Sequence, residues 1–414
     1  MRYSGLLSLS FLVVPLLPMA RAWAQAIGER PVLNADGSPA YATQDRYNFP
    51  DDQTGIRAGP FELYPSASET AAYDSNVYAS PAPRKDSPVS ITEALLELAT
   101  DPGGLLYLDG EAYARGRRFT NSSDQNTNEY GGAASFAAEA SSKDQLTGSV
   151  LIQHRFEART DIETPDIRAV SLYDQWIGNF SYAHTYNRLQ MNYTLTAQSL
   201  DYDDPSQKYR DRSFYEGEVS GTYQLPSALA LMGTVYHSED DYRFDNPAVA
   251  GGATTGARVG GHITLAEVAE FELTVGYFRR NFDQHLGEIA GLSLVGSLIL
   301  YPTELTTIRA NVSRQDQPTR IPGAYGKVRT DNMLEIGHAY SRSLNLYARA
   351  RVVLDDFTTL RRTDTTYLGE MGAFYEVSRG FVIGLEYDIS ERSSNVESSS
   401  FLQHLVGVSF AARL

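Results

Sequence analysis

The chain has 414 residues, a formal net charge of −16 at pH 7 and no cysteine. The lack of cysteine excludes disulfides, thiolate metal sites and cysteine nucleophiles. The negative charge argues against nucleic acid as a partner, because it repels phosphates. A content of 27 Tyr and 17 Phe against 2 Trp favours β-structure.

The first 24 residues have the pattern of a secretory signal peptide. The basic residue Arg2 precedes an apolar run over residues 6–17, and Ala22-Trp23-Ala24 offers small residues for cleavage. The run is shorter than the roughly 20 residues that a membrane-spanning helix needs. We therefore expect cleavage after Ala24, or two residues later, and a polar periplasmic lead-in without strands over residues 25–58.

Apolar and polar side chains alternate over most of residues 59–414. From Phe381 the odd positions are apolar, while the even positions include Gly384, Glu386 and Asp388. The same alternation starts at Leu189 and at Leu344. A period of two is typical of strands with one apolar and one polar face. Transmembrane β-barrels show this pattern because lipid-facing and lumen-facing residues alternate.

The pattern predicts an all-β fold, a transmembrane antiparallel up-and-down β-barrel of about 18 strands, of the outer-membrane type. An even strand number places both termini in the periplasm. The predicted strands are residues 60–74, 88–100, 104–118, 128–141, 145–158, 168–184, 188–201, 210–225, 228–240, 255–266, 270–282, 290–301, 303–315, 326–341, 343–356, 364–378, 380–392 and 400–414.

Short and long connections alternate along the chain. The tight turns are predicted at 101–104, 142–144, 184–187, 226–227, 302–303, 341–343 and 378–380. The longer polar loops are predicted at 76–87, 120–127, 240–254, 316–325 and 355–364. Outer-membrane barrels have this asymmetry between periplasmic turns and extracellular loops. A soluble β-sandwich or propeller, the alternative fold, predicts neither this asymmetry nor a strand that ends at the last residue.

The last segment, from Phe401 to Leu414, alternates up to its end. It resembles the C-terminal strand that barrel-assembly machinery recognises, although Leu414 stands where a terminal Phe is usual. Barrel-assembly machinery and outer-membrane lipid are therefore expected partners.

Charged residues on the predicted inward faces are candidates for lining the lumen. Charges of both signs inside a barrel must be hydrated or paired. The pattern leaves open whether they form an internal ion-pair network or contact a solute. The candidates are Asp109, Glu111, Arg115, Arg117, Glu216, Glu218, Tyr347, Arg349, Arg351, Glu370, Glu386 and Asp388.

No motif indicates a cofactor or metal site, and the seven histidines lack metal-ligand spacing. A barrel enzyme is an alternative, because His237 lies close to Glu239, Asp240 and Asp241, and His285 follows Asp283. No residue stands out as a nucleophile. We therefore expect no catalytic activity.

The opening of the predicted barrel carries a motif. Pro60 to Pro65 form an aromatic-proline first strand, which is followed by Tyr73-Asp74-Ser75-Asn76-Val77. This arrangement, with Pro65, Tyr73, Asp74 and Asn76 as the motif residues, resembles the putative β-barrel porin 2 family of outer-membrane proteins. The resemblance implies a role beside machinery for exopolysaccharide synthesis and export. From its residues, Tyr73 is expected at the membrane interface, and Asp74 and Asn76 at the start of a loop.

Two channel functions remain open, beside a third class, an outer-membrane enzyme or structural anchor. The resemblance favours a channel that exports a hydrophilic polymer, an exopolysaccharide, together with a periplasmic polysaccharide export protein. Barrels of 16 to 18 strands leave an aqueous channel, so their size permits this. The alternative is a general or substrate-selective uptake porin for small solutes.

Overall fold

The computed structural model describes residues 55–100, 105–164, 169–244, 249–265, 268–283 and 286–413. The predicted signal peptide, most of the predicted lead-in and the predicted turn at 101–104 lie outside these residues. The lead-in is predicted to lack strands, but its described end contains a short one. Ile56–Ala58 (β1) pairs with the first long strand.

Eighteen long antiparallel strands, β2 to β19, form a closed barrel. Each pairs with its sequence neighbours, and the last strand closes the barrel on β2, with Leu405 opposite Asp74. The predicted fold class and strand number are confirmed. The strands are β2 (Phe61–Asp74), β3 (Ser87–Thr100), β4 (Leu106–Phe119), β5 (Thr127–Ser141), β6 (Asp144–Phe156), β7 (Leu172–Tyr186), β8 (Leu189–Tyr202), β9 (Arg212–Gln224), β10 (Leu229–Tyr242), β11 (Gly252–Leu265), β12 (Ala269–Phe282), β13 (Glu288–Thr303), β14 (Thr306–Gln317), β15 (Lys327–Ala339), β16 (Leu344–Phe357), β17 (Thr363–Ser378), β18 (Phe381–Ser394) and β19 (Phe401–Arg413).

The connections alternate in length as predicted. Those at 142–143, 187–188, 304–305 and 379–380 are tight, whereas those at 75–86, 157–171 and 203–211 are long. We call the two ends of the barrel the turn end and the loop end. Short 3-10 helices occupy Ser123–Gln125, Pro205–Arg210 and Glu397–Ser399. No helix among the described residues has the length and hydropathy to cross a membrane.

Two predicted turns are displaced towards later residues. His184 still belongs to β7, and the chain reverses at Asn187, whose φ of 54° is one that asparagine tolerates. Pro302 and Thr303 belong to β13 instead of a turn. A register shift between Leu300 and Thr303 accommodates the proline, which has no N–H for the ladder.

The two faces of the wall match the alternation in the sequence. On β18, Leu385 is 55% exposed on the outside, whereas the adjacent Glu386 is 4% exposed on the inside. On β8, Leu195 is exposed and Thr196 is buried. The outside therefore presents apolar side chains to lipid, and the inside collects polar and charged ones.

Glycine lets β11 and β12 approach each other closely. A Cβ on Gly260 would lie 1.8 Å from the carbonyl oxygen of Leu273, and one on Gly276 would lie 1.8 Å from that of Ala257. No larger residue fits at either position without moving the backbone.

β14 separates from β13 at the loop end. The two strands pair from Leu294 opposite Arg314 towards the turn end, whereas residues 288–293 of β13 pair with β12 only. Near the end of β14, Asp316 accepts a hydrogen bond from Thr254 of β11 at 2.5 Å and lies 3.7 Å from Arg280 of β12. The end of β14 thus packs across its neighbours and directs the following connection into the lumen.

Candidate functional site

The connection between β6 and β7 folds into the barrel. We call residues 157–164, its described first part, the crossing loop. In the closed strand order, β15 and β16 lie opposite β6 and β7. Contacts with both sides of the barrel, described below, show that this loop spans the lumen at the loop end.

The near end of the crossing loop is anchored by Glu157. Its carboxylate accepts hydrogen bonds from the guanidinium of Arg210 at 2.7 and 2.9 Å and from the Tyr202 hydroxyl at 2.9 Å. All three side chains are almost completely buried. Arg210 also donates to the carbonyl oxygen of Glu163 at 2.6 Å, so one arginine holds two points of the loop.

The far end is anchored by Glu163 on the opposite wall. Its carboxylate accepts from the main-chain nitrogen of Arg320 at 2.7 Å and from the Thr319 hydroxyl at 3.0 Å, and it pairs with the ammonium of Lys327. Burial raises the pKa of Glu163, but the charges of Lys327 and Arg320 outweigh it, so the pKa lies below its ordinary value. Glu163 is therefore an anion in the folded barrel.

A second loop meets the crossing loop inside the barrel. We call residues 318–326, between β14 and β15, the facing loop. Its Arg320 donates to the Tyr202 hydroxyl at 2.7 Å and lies 3.2 Å from the carboxylate of Glu157. Its Thr319 carbonyl accepts from the Tyr242 hydroxyl at 2.7 Å. The two loops thus form one connected network between opposite walls.

Apolar packing completes the contact. Ile162 of the crossing loop packs in a buried cluster with Ala324 of the facing loop and Phe357 of β16, which Ile321 and Leu360 flank. In addition, Arg392 of β18 donates to the carbonyl oxygen of Thr160. Apolar burial and satisfied buried charges therefore both favour the crossed position.

The charged candidates from the sequence lie on the inward face of their strands. On each strand they occupy the same alternate positions as buried inward side chains, for example Asp109, Arg115 and Glu386. The structure places them on three parts of the barrel wall. Asp109, Glu111, Arg115, Arg117, Glu216 and Glu218 are on β4 and β9, and Tyr347, Arg349, Arg351, Glu370, Glu386 and Asp388 are on β16 to β18.

Inward charges on β14 to β17 form a ladder of ion pairs. Arg349 lies between Glu335 at 2.8 Å and Glu370 at 2.6 Å, and Arg309 lies 3.3 Å from Glu335. Arg351 pairs with Asp331, and the Tyr347 hydroxyl donates to Glu386 at 3.4 Å. Glu335 and Glu370 lie directly opposite Arg349 on the two adjacent strands, whereas Tyr347 reaches Glu386 two strands away. Pairing within the wall therefore compensates much of the charge that faces the lumen.

The inward residues of β4 and β9 show the same chemistry. Arg115 pairs with Glu93 of β3 at 2.6 Å, and the Ser135 hydroxyl donates to Asp109. Glu218 lies 3.1 Å from Arg258 of β11. All three parts of the wall thus combine paired charges with polar groups that water can solvate.

The motif residues at the start of the barrel hold its seam together. Asn76 is fully buried and donates to the carbonyl oxygens of Ser80 at 2.8 Å and Leu402 at 3.0 Å. Asp74 accepts from the main-chain nitrogen of Asn76 at 2.8 Å and from Gln403 at 2.9 Å. Because Leu402 and Gln403 belong to β19, the motif ties the first loop to the last strand.

The other two motif residues lie at the surface. Tyr73 is exposed, and its hydroxyl donates to Asp86 at 2.8 Å at the loop end, where an aromatic ring with a polar tip suits the membrane interface. Pro65 lies within β2 opposite Leu96.

The acidic rim that suggested an enzyme is divided between the two faces of β10. His237 is on the outside, with Thr255 at 2.9 Å and Glu239 at 3.2 Å. Asp240 points inward and pairs with Arg280. Asp240 is therefore separated from His237, Glu239 and Asp241, which share the outer face. His285, at the other proposed rim, lies outside the described residues.

The network of the two loops was not foreseen from the sequence. Glu157, Glu163, Arg210, Arg320 and Lys327 lie in or next to predicted loops or strand ends, where charged groups are ordinarily solvated. One available signal was the length of the β6–β7 connection, which the structure places at 157–171. Its Ile162 is an apolar residue in a segment with no strand pattern.

One family model and several solved structures are similar to this chain. The family model for putative beta-barrel porin 2 matches residues 50–414. A search of the curated proteins found no match. Similar solved structures include OccAB3 of Acinetobacter baumannii, with 11% identity, TM-score 0.46 and coverage of 86% of this chain and 100% of that chain. The outer membrane protein OpdK of Pseudomonas aeruginosa has 13% identity, TM-score 0.44 and coverage of 85% and 99%.

A BenF-like porin of Pseudomonas fluorescens Pf-5 has 9% identity, TM-score 0.47 and coverage of 86% and 99%. At such identities the likeness concerns the fold alone. The family model matches the sequence itself, and the match includes every strand of the barrel. The chain belongs to the putative beta-barrel porin 2 family and is a porin-like outer-membrane barrel.

Proposed function

We propose that this barrel is a passive channel for the uptake of small hydrophilic solutes. The observation that carries the proposal is the crossing loop, which spans the loop end of the lumen and docks on the opposite wall through Glu163. The family resemblance favours export of a polymer, with uptake as the alternative. The geometry supports the alternative better.

A polymer in transit needs a continuous clear path for its whole length. The crossing loop would have to leave its position, and this would separate the buried pairs of Glu157 with Arg210 and of Glu163 with Lys327. Leaving one partner of such a pair buried alone costs about 3 to 5 kcal/mol. A small solute needs only a passage beside the loop, so its uptake does not require that these pairs separate.

The lining gives such a solute a polar route. Below the two loops, the inner walls carry ion pairs such as Arg349 with Glu370, together with hydroxyl and amide groups such as Thr196 and Asn179, which are 2.9 Å apart. Groups of this kind replace part of a solute's hydration shell by hydrogen bonds.

The topology gives the orientation of the proposed channel. Phe61, which begins the barrel, and Arg413, which ends its last described strand, lie at the turn end. Outer-membrane barrels keep their short turns in the periplasm. We therefore assign the turn end and both ends of the barrel to the periplasm, and the crossing loop to the external half of the lumen.

Solute size provides the test. The purified barrel, reconstituted in liposomes, should admit monosaccharides and exclude long oligosaccharides in a swelling assay. A variant in which a short Gly-Ser linker replaces residues 158–164 should admit larger sugars and show higher single-channel conductance. Replacement of Glu397–Ser399, on the β18–β19 connection, is the matched control and should change neither.

Two outcomes contradict the proposal. One is equal size limits for the wild type and the linker variant, because the crossing loop would then not restrict the lumen. The other is the loss of a surface polysaccharide on gene deletion with unchanged solute uptake. That result would restore polymer export, with a periplasmic polysaccharide export protein as the expected partner.

A further inference from the structure

A histidine and two aspartates meet on the outside of the wall at the loop end. His154 is on β6, Asp174 is on β7, and Asp203 directly follows β8. Their ligand atoms all lie within 4.8 Å of one another. Among the described residues, this is the group in which three such side chains converge. His237 of β10 also lies on the outside near the loop end, and it pairs with a single carboxylate, that of Glu239.

The histidine is held in place, while the carboxylates are open to solvent. The ring of His154 stacks on Tyr130, with centroids 5.0 Å apart and planes 17° apart, and its Nδ1 lies 2.8 Å from Asp174. The side chain of His154 is 14% exposed, that of Asp174 is 67% exposed, and Asp203 is also exposed. An ion from solution would meet one fixed nitrogen ligand and two adjustable oxygen ligands.

We propose that His154, Asp174 and Asp203 bind one divalent cation of the Zn²⁺ type. Zinc takes histidine nitrogen and carboxylate oxygen at about 2.0 to 2.2 Å, with four ligands in a tetrahedron. Two ligands of such a site are about 3.4 Å apart. The present spacing reaches this value through small rotations of the two exposed aspartates, and a water molecule completes the set.

The position of the cluster gives the ion a structural role. His154 lies on β6 just before the crossing loop, and Asp174 lies on β7 just after the same connection. Asp203 opens the 203–211 connection, which carries Arg210, the anchor of Glu157. A bound cation therefore joins both stems of the crossing loop to the segment that anchors it. It restricts movement of the loop without entering the lumen.

Direct metal binding tests the assignment. The full-length barrel, purified in detergent and freed of metal with a chelator, is titrated with ZnCl₂ by calorimetry. The expected result is one equivalent bound by the wild type, with affinity at least about tenfold weaker in Asp203→Asn and in His154→Gln. His237→Gln is the matched control and should bind like the wild type. Heat-modifiable migration on gels checks that every variant is folded.

The site would be overturned if the wild type did not bind one equivalent of Zn²⁺. It would also be overturned if Asp203→Asn and His154→Gln bound Zn²⁺ as tightly as the wild type. A second readout tests the role of the ion. Zn²⁺ added to the loop side of a planar bilayer should reduce fluctuations of the open-channel current in the wild type and leave Asp203→Asn unchanged. Zinc binding that leaves the current fluctuations of the wild type unchanged would overturn the structural role of the ion. Only the current recording rests on the proposed channel function, whereas the calorimetry does not. Failure of the metal site can therefore be distinguished from failure of the proposed function.

Discussion

Glu163 accepts a hydrogen bond from the main-chain nitrogen of Arg320 at 2.7 Å, although the two residues belong to loops that start on nearly opposite sides of the barrel. The contact joins the crossing loop to the facing loop inside the lumen. The size limit proposed for the channel therefore depends on a small number of buried polar contacts, which single substitutions can remove.

Removing the far anchor should widen the channel. Glu163→Ala leaves Lys327, which is 3% exposed, without its closest carboxylate. Losing one partner of a buried pair costs about 3 to 5 kcal/mol, which favours release of the loop. We expect higher single-channel conductance and uptake of larger sugars. Glu397→Gln, on an exposed loop, is the control. Unchanged conductance in Glu163→Ala would show that the loop stays docked without this contact.

The docked loop should tolerate moderate acid. The pKa of Glu163 lies below its ordinary value of 4.5, because Lys327 and Arg320 outweigh the effect of burial. Lys327 also faces Asp355 at 3.8 Å, and Arg329 pairs with Asp355 at 2.8 Å. A lowered folded pKa gives stability that is present above the unfolded value and lost as pH falls through the folded one.

Conductance should therefore stay constant from about pH 8 to about pH 5 and increase only below the ordinary glutamate range. Planar-bilayer recordings across this series provide the measurement, with Glu163→Ala as the reference for a released loop. A change of conductance near neutral pH would mean that a group other than Glu163 controls release of the crossing loop.

The seam should weaken when its buried amide is removed. Asn76→Ala leaves the carbonyl oxygen of Leu402 on β19 without this donor and removes the contact with Ser80. We expect a loss of about 1 to 3 kcal/mol in the free energy of unfolding, measured by urea titration of the detergent-solubilised barrel. Tyr73→Phe removes only an exposed hydrogen bond to Asp86 and should change stability by less than about 0.5 kcal/mol. Equal losses would contradict the seam assignment.

The two faces of β18 should respond differently to polar substitution. Leu385→Arg places a charge against lipid and should cost about 2 to 4 kcal/mol if the position is close to mid-bilayer. Glu386→Gln, one residue further on the inner face, keeps an acceptor for the Tyr347 hydroxyl and should cost less. Yield of heat-modifiable barrel in membranes is the measurement. Similar yields for both variants would mean that the facing of this strand is wrong.

Ion selectivity should depend on the arginines of β16. Arg349→Gln with Arg351→Gln removes the positive partners of Glu370 and Asp331, so the lumen becomes more negative. Glu335 keeps Arg309 at 3.3 Å, so we expect assembly to continue. Reversal potentials in a salt gradient should shift towards cations. The control is Arg342→Gln with Arg361→Gln, which removes equal charge from two exposed connections. An unshifted potential would place the pair off the conduction path.

The wall of the barrel can be predicted from local patterns in the amino-acid sequence. Whether a side chain faces lipid or lumen follows from the period of two, so the pattern alone assigns Leu385 and Glu386 to opposite faces. Strand number and the alternation of turns and loops follow from the same local pattern. Local rules also have limits, because the turn expected around His184 moved to Asn187, where a positive φ is tolerated.

The contents of the lumen, in contrast, depend on contacts between distant parts of the chain. A loop that extends into water and a loop that folds into the lumen have similar polar composition, so nothing local to Glu163 identifies Arg320 and Lys327 as its partners. Those contacts connect residues more than 150 positions apart, and they exist because closure of the barrel brings β6 opposite β15. The pairing of β19 with β2 likewise gives Asn76 its acceptor on Leu402. Closure is a property of the whole sheet, so the residues that restrict the channel become neighbours only in the complete barrel.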